Sequence, residues 1–75
     1  MAGAVLLAQG IQRRAAILRF IKSYWKKNHF GPSFDEIAEG VGIGKTSIRH
    51  HLIVLQGEGK ISLTPGAYRS IRVVE

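Results

Sequence analysis

Residues Ser33 to Leu55 read "SFDEIAEGVGIGKTSIRHHLIVL", and two incompatible interpretations meet at "GVGIGKTS", Gly40 to Ser47. One makes it the end of a phosphate-binding P-loop, the other the turn of a helix-turn-helix. A P-loop needs G-x-x-x-x-G-K-[ST] after a strand, so that backbone amides curl around phosphates and the lysine reaches the outer ones. Counting back from Gly44-Lys45-Thr46, the first glycine of that pattern falls on Glu39, and Gly40 misses by one residue. The preceding residues also read as a helix rather than a buried strand. Ser33 stands three residues before Glu36, the spacing at which N-cap and N3 side chains satisfy each other's orphan amides. A chain of 75 residues is moreover too short for the α/β sheet on which a nucleotide site sits. The helix-turn-helix asks for other things, and finds them: Ala38 is small enough for two helices to approach closely, Gly42 permits a positive φ in a sharp turn, and Ile48 plugs the groove from the second helix. Ile37, Val41, Ile43 and Leu52 are apolar where such a unit buries side chains.

Working outward, a helix is expected over Gln12–Lys27, with Ala16, Ile17, Phe20, Ile21 and Tyr24 on one face. The run "NHFGP" (Asn28 to Pro32) ends it, because proline pushes the residue before it into extended conformations. The second helix starts behind Ser33 and runs to about Gly40 or Val41, with Asp35 and Glu36 in the first turn, where the helix dipole favours acids. The third is expected at about residues 45–57, with Ile48, Leu52 and Leu55 inward, and closes in "QGEGK". Two alternating runs follow, Ile61–Thr64 and Tyr68–Val74, separated by the turn-forming Pro65-Gly66-Ala67. An isolated hairpin is marginal in water, so it must lay an apolar side, Ile61, Leu63, Ile71 and Val73, against the helices. The expected fold is mainly α with a small β part: a winged helix-turn-helix of three helices and a C-terminal two-stranded wing. It occupies residues 9–75 as one domain. Residues 1–8, "MAGAVLLA", lack the basic start of a secretory signal and the roughly 20 residues needed to span a bilayer; they read as a flexible apolar tail, or alternatively as a strip for self-association.

Eleven Lys and Arg against five Asp and Glu leave a formal charge of +6, which implies attraction to a polyanion: nucleic acid, or in principle an acidic membrane surface. The absence of cysteine removes disulfides and thiolate metal sites and fits a reducing compartment such as the cytoplasm. With Ile48, Leu52 and Leu55 inward, helical geometry turns Lys45, Thr46, Arg49, His50 and Ile53 outward, toward the major groove of double-stranded DNA. Arg49 could hydrogen-bond guanine O6 and N7, Thr46 and Ser47 a phosphate or base edge, and Ile53 a thymine methyl; Lys45 suits a phosphate, and Ser33 joins the set at the start of the second helix. The bland alternative makes Arg49 a solvated cation and His50 a histidine of no special role. His51, beside the buried stripe, is expected to be partly buried with a satisfied ring nitrogen. Arg69 and Arg72 on the hairpin either follow the phosphate backbone or minor groove, or protect a sheet edge from pairing. His29, His50 and His51 lack the i, i+4 spacing of a zinc pair, no Ser, His and carboxylate stand in a recognisable catalytic arrangement, and there is no pocket signature. Neither metal, cofactor, small-molecule ligand nor enzyme activity is expected.

The pieces "GPSFDEIAEGVG", "SIRHHLIVL" and "PGAYRSIRV", together with Ile17, Phe20 and Ile21 of the first helix, resemble the N-terminal DNA-binding domain of the LexA repressor family from about Ile17 onward. The resemblance implies a sequence-specific transcription regulator, a repressor, whose third helix reads the major groove. Two departures accompany it. The turn "GIGKTSIRHH" is one residue shorter than is usual in LexA, so operator specificity does not transfer. The serine-lysine protease domain that follows in LexA has no counterpart in these residues, and neither its self-cleavage nor its dimer contacts are implied. Binding as a homodimer to a palindrome is expected on physical grounds, because two half-sites multiply the affinity of one small module. The competing functions are a winged helix that recognises protein and a nonspecific nucleic-acid binder.

Overall fold

The computed structural model describes residues 2–64, 66 and 69–74, with side chains from residue 10 onward. The elements are α1 (Ala2–Asn28), α2 (Phe34–Val41), α3 (Lys45–Gly57), β1 (Ile61–Ser62) and β2 (Arg72–Val73). This is the expected order of three helices and a hairpin. The first helix is longer than its apolar periodicity predicts. It opens at Ala2 instead of Gln12, so the backbone of residues 2–8 is helical where a flexible tail was expected. The segment is rich in alanine and leucine and has no proline, so despite Gly3 a helix anchored from Gln12 onward can continue back through it. Lys26 and Lys27 close the last turn, where cations meet the negative end of the helix dipole.

The second helix starts on a complete capping box. The Glu36 amide donates to Ser33 Oγ at 3.1 Å and the Ser33 amide donates to Glu36 Oε1 at 2.8 Å. It ends at Gly42, whose φ of 76° and ψ of 36° are left-handed, the conformation the turn was expected to need. Two amides, those of Gly42 and Ile43, share the Ala38 carbonyl there. Only Ile43 and Gly44 then separate the turn from α3. A second glycine in this region is needed for a different reason: a Cβ on Gly40 would run into the ring of Phe20, so the close approach of α1 and α2 depends on Gly40.

The core forms where the three helices and the hairpin meet. Ile17 and Ile21 of α1, Ile37 and Ala38 of α2, and Ile48, Leu52 and Leu55 of α3 are buried together with Ile61 and Ile71. Leu63 and Val73 pack against that cluster, so the four-residue apolar side expected of the hairpin is the side that faces the helices. β1 and β2 pair antiparallel, Ile61 opposite Val73 and Ser62 opposite Arg72.

Both strands are shorter than their alternating sequences predict. Arg69 has a φ of 58°, outside the extended region, so a strand cannot run continuously through Tyr68–Val74. Beyond the ladder the two arms are joined through a side chain: the Thr64 amide donates to Ser70 Oγ at 3.0 Å, and that hydroxyl donates to the Thr64 carbonyl at 3.2 Å. Of the turn expected at residues 65–67, only Gly66 is described; Pro65, Ala67 and Tyr68 lie outside the described residues.

Candidate nucleic-acid interface

Helix α3 has two chemically distinct sides because its apolar residues recur at i, i+4 and i+7. Ile48, His51, Leu52 and Leu55 are buried. Lys45, Thr46, Ser47, Arg49, His50 and Ile53 are exposed, Ile53 with 63% of its surface in solvent. Six residues expected to meet a ligand therefore share one element and are accessible, as its periodicity requires. The N-cap of α3 is Gly44, which makes no side-chain cap hydrogen bond. The first amides of the helix, its positive pole, are thus not covered by a capping side chain. Lys45 forms an exposed ion pair with Asp35 across the turn, 3.3 Å from Nζ to Oδ1.

His51 lies on the inner side of α3 against α1. The Arg14 guanidinium approaches its Nδ1 at 3.3 Å, consistent with a neutral imidazole accepting there. Burial, followed by the neighbouring charge of Arg14, lowers its pKa from the ordinary histidine value. The partly buried histidine with a satisfied ring nitrogen is thereby found.

Ser33 is taken up in the capping box, with Oγ accepting from Glu36; its hydroxyl hydrogen is not used by that bond. Arg72 lies exposed on β2 with its guanidinium carbon 4.9 Å from the centre of the Trp25 ring, a cation–π distance. Trp25 is itself fixed, its Nε1 donating to the Ile71 carbonyl at 2.6 Å. An open groove of about 530 Å3 runs between Pro32–Asp35 and the hairpin, with Phe34, Leu63 and Ile71 among its walls.

Arg69, expected either to follow the phosphate backbone or minor groove or to protect a sheet edge, turns its guanidinium toward the helices. Its Nη1 donates to Glu36 Oε1 at 2.6 Å, to the Tyr24 hydroxyl at 2.9 Å and to the Gly31 carbonyl at 3.1 Å. The Phe30 ring lies beneath the same guanidinium at 5.0 Å. The Tyr24 hydroxyl in turn donates to Glu36 Oε2 at 2.8 Å. The Ser33 amide, with Arg69 and Tyr24 assisting, holds the Glu36 carboxyl down at about 2, and Glu36 in turn raises the pKa of Arg69. Arg69 is an internal ligand of the helices, not one of the group on α3. The anchors it uses, and Trp25 beside them, carried no local signal: Glu36 is legible as a capping residue and Tyr24 as part of an apolar stripe, but their shared partner lies at sequence separations of 33 and 45 residues.

A helix-turn-helix whose third helix presents a cationic side, braced by a hairpin on the same core, defines a winged helix-turn-helix domain. The sequence matches the family model described as the LexA DNA binding domain over residues 10–70, and the chain belongs to that family. Among its relatives, a LexA repressor of Pseudomonas putida is 42% identical over 62 residues, which cover 81% of this chain and 31% of that protein. LexA repressor of Carboxydothermus hydrogenoformans is 36% identical over 59 residues, 77% of this chain and 29% of that one. The chain thus spans about a third of the length of these relatives. Among the described residues, no helix is long and apolar enough to cross a membrane.

Proposed function

We propose that this domain binds double-stranded DNA sequence-specifically as the reading head of a transcription repressor, with α3 in the major groove and the hairpin on the adjacent backbone or minor groove. The observation that carries this reading is the division of α3: one side is locked into the core by Ile48, Leu52 and Leu55, and the other holds Lys45, Thr46, Ser47, Arg49, His50 and Ile53 in solvent. Family membership supports it, as do the names of the relatives, which are LexA repressors. The net charge of +6 supplies the attraction to the duplex.

Within that reading the roles follow from chemistry. Arg49 has the fork geometry that meets guanine O6 and N7 together, and Ile53 is placed one turn further along for a thymine methyl. Thr46 and Ser47 offer hydroxyls, and the uncapped amides around them suit a phosphate oxygen. Lys45 and Arg72 act on the backbone as charges, the latter held in place by Trp25, while Ser33 offers its hydroxyl hydrogen at the start of α2. His50 reads a base edge or a phosphate. Arg69 is left out of the contact set because its guanidinium is engaged internally. Two copies on a palindrome would read two half-sites about one helical turn apart.

The test is a fluorescence titration of labelled duplexes selected from a random pool, at two salt concentrations. The reading predicts binding that weakens steeply with salt, with a log–log slope near 0.9 for each phosphate neutralised. Arg49→Ala should erode the preference among sequences by about 1–3 kcal/mol, while Lys45→Ala should weaken all duplexes alike. Absence of duplex binding would reject the proposal in favour of a protein partner, and binding without preference would reduce it to a nonspecific function.

A further inference from the structure

The wing of this domain is tethered by very little of its own secondary structure. Among the described residues its ladder joins two residue pairs, yet its return arm is bound to the helices at several points. The Ile71 carbonyl accepts from Trp25 of α1. Arg69, two residues earlier, reaches the α1 side chain Tyr24, the α1–α2 loop at Gly31 and the N-terminal turn of α2 at Glu36. Arg69 does this from a left-handed backbone, φ 58°, a strained conformation that a non-glycine residue keeps only where surrounding interactions over-determine it. Glu36 is also the residue that closes the capping box of α2, so one carboxylate links the entry of the helix-turn-helix to the base of the wing.

We infer that Arg69 is a positioning residue for duplex binding: through Glu36 and Tyr24 it sets the wing in register with the helix-turn-helix, without itself touching DNA. The inference rests on the DNA-binding reading above. Its physical content is an entropy. In a domain with the clamp intact the wing is ordered before the duplex arrives; with the clamp cut, the same contacts form but the arm must be ordered during binding, and that ordering weakens association.

Two variants that leave the capping and the core intact test this. Glu36→Gln keeps an N3 residue able to accept from Ser33 but loses the ion pair with Arg69. It also makes the protein more positive, so simple electrostatics predicts tighter duplex binding. Tyr24→Phe keeps the ring and the net charge and removes only the hydroxyl between Arg69 and Glu36. Duplex affinity is measured well below the melting temperature of each variant, so that a general loss of stability does not enter. Clamping predicts that both variants bind about threefold or more weakly, with the slope of log affinity against log salt unchanged because the same phosphates are met in the end. In the free proteins, amide exchange of residues 70–73 should accelerate relative to the core amides of Ile48 and Leu52.

Tighter or unchanged binding by Glu36→Gln overturns the inference, as does unchanged exchange of the wing amides. A salt slope that drops by about one phosphate in Arg69→Ala while wing exchange stays unchanged would make Arg69 a direct contact instead. If the unaltered chain binds no duplex at all, the functional reading fails and the inference with it; the exchange measurement then still shows whether the clamp orders the wing.

Discussion

Replacing Gly42 by alanine isolates one term of the turn's energetics. A Cβ at Gly42 would meet nothing within 4 Å, so no steric contact with the rest of the protein enters. What remains is the backbone. With φ at 76° and ψ at 36°, an L-residue brings its Cβ against its own carbonyl, at a cost of about 1–2 kcal/mol. For a domain of this size each kcal/mol moves the melting temperature by about 4–8 °C, so Gly42→Ala should melt lower by about 4–16 °C. Gly57 supplies the matched control. It is the last residue of α3 and a Cβ there also meets nothing within 4 Å, but its backbone is helical, where alanine is favoured over glycine by up to about 1 kcal/mol. The same methyl should therefore stabilise at 57 and destabilise at 42. Gly42→Asn should fall between glycine and alanine, because asparagine tolerates the left-handed region. Thermal unfolding followed by circular dichroism reads all three. Shifts of the same sign in Gly42→Ala and Gly57→Ala would refute the reasoning, since it is the sign of φ alone that separates the two sites.

Three further outcomes are expected. Glu36, ionised down to about 2 in the fold against 4.5 when free, contributes stability that is complete above pH 4.5 and lost as pH falls toward 2; Glu36→Gln should flatten the acid limb of a stability–pH profile in that window. His51 has a lowered pKa in the fold against 6.5 when free, so its contribution is present above pH 6.5 and lost as acid protonates the ring against Arg14; His51→Gln should remove that part of the pH dependence, as measured by urea unfolding at a series of pH values. Trp25→Phe strips the donor from the Ile71 carbonyl and should cost about 1–3 kcal/mol in urea unfolding monitored by circular dichroism.

Where a structural feature rests on residues close in sequence, it could be read before any coordinates. Ser33 and Glu36 are three apart, Gly42 lies four beyond Ala38, and Ile48, Leu52 and Leu55 repeat with the helical period; each pattern carries its own geometric reason. The outward side of α3 followed from the same periodicity. What escaped depends on distant partners. Nothing near Arg69 announces which groups its guanidinium will meet, because the acceptors come from Tyr24, Gly31 and Glu36, and only the assembled core brings them to it. The over-long strands escaped as well: Tyr68–Val74 alternates as a strand should, but Arg69 takes a left-handed φ that breaks the extension. Gly40 was legible as lying at the end of a helix, but not as the place where a Cβ would collide with the ring of Phe20. The early start of α1 was missed for the opposite reason, since an apolar run without periodicity offers no face to recognise.

The pairing of Lys45 with Asp35 bears on how a duplex would be released. An ammonium that already has an anion beside it gains less from an arriving phosphate than a bare one would, because one oxygen neighbour is exchanged for another. If Lys45 meets a phosphate as proposed, the carboxylate would be beside it again when the duplex departs. Asp35 would thereby act as an understudy for the nucleic acid, tempering the grip of α3 and letting a small basic module move from site to site instead of settling on the first polyanion it meets.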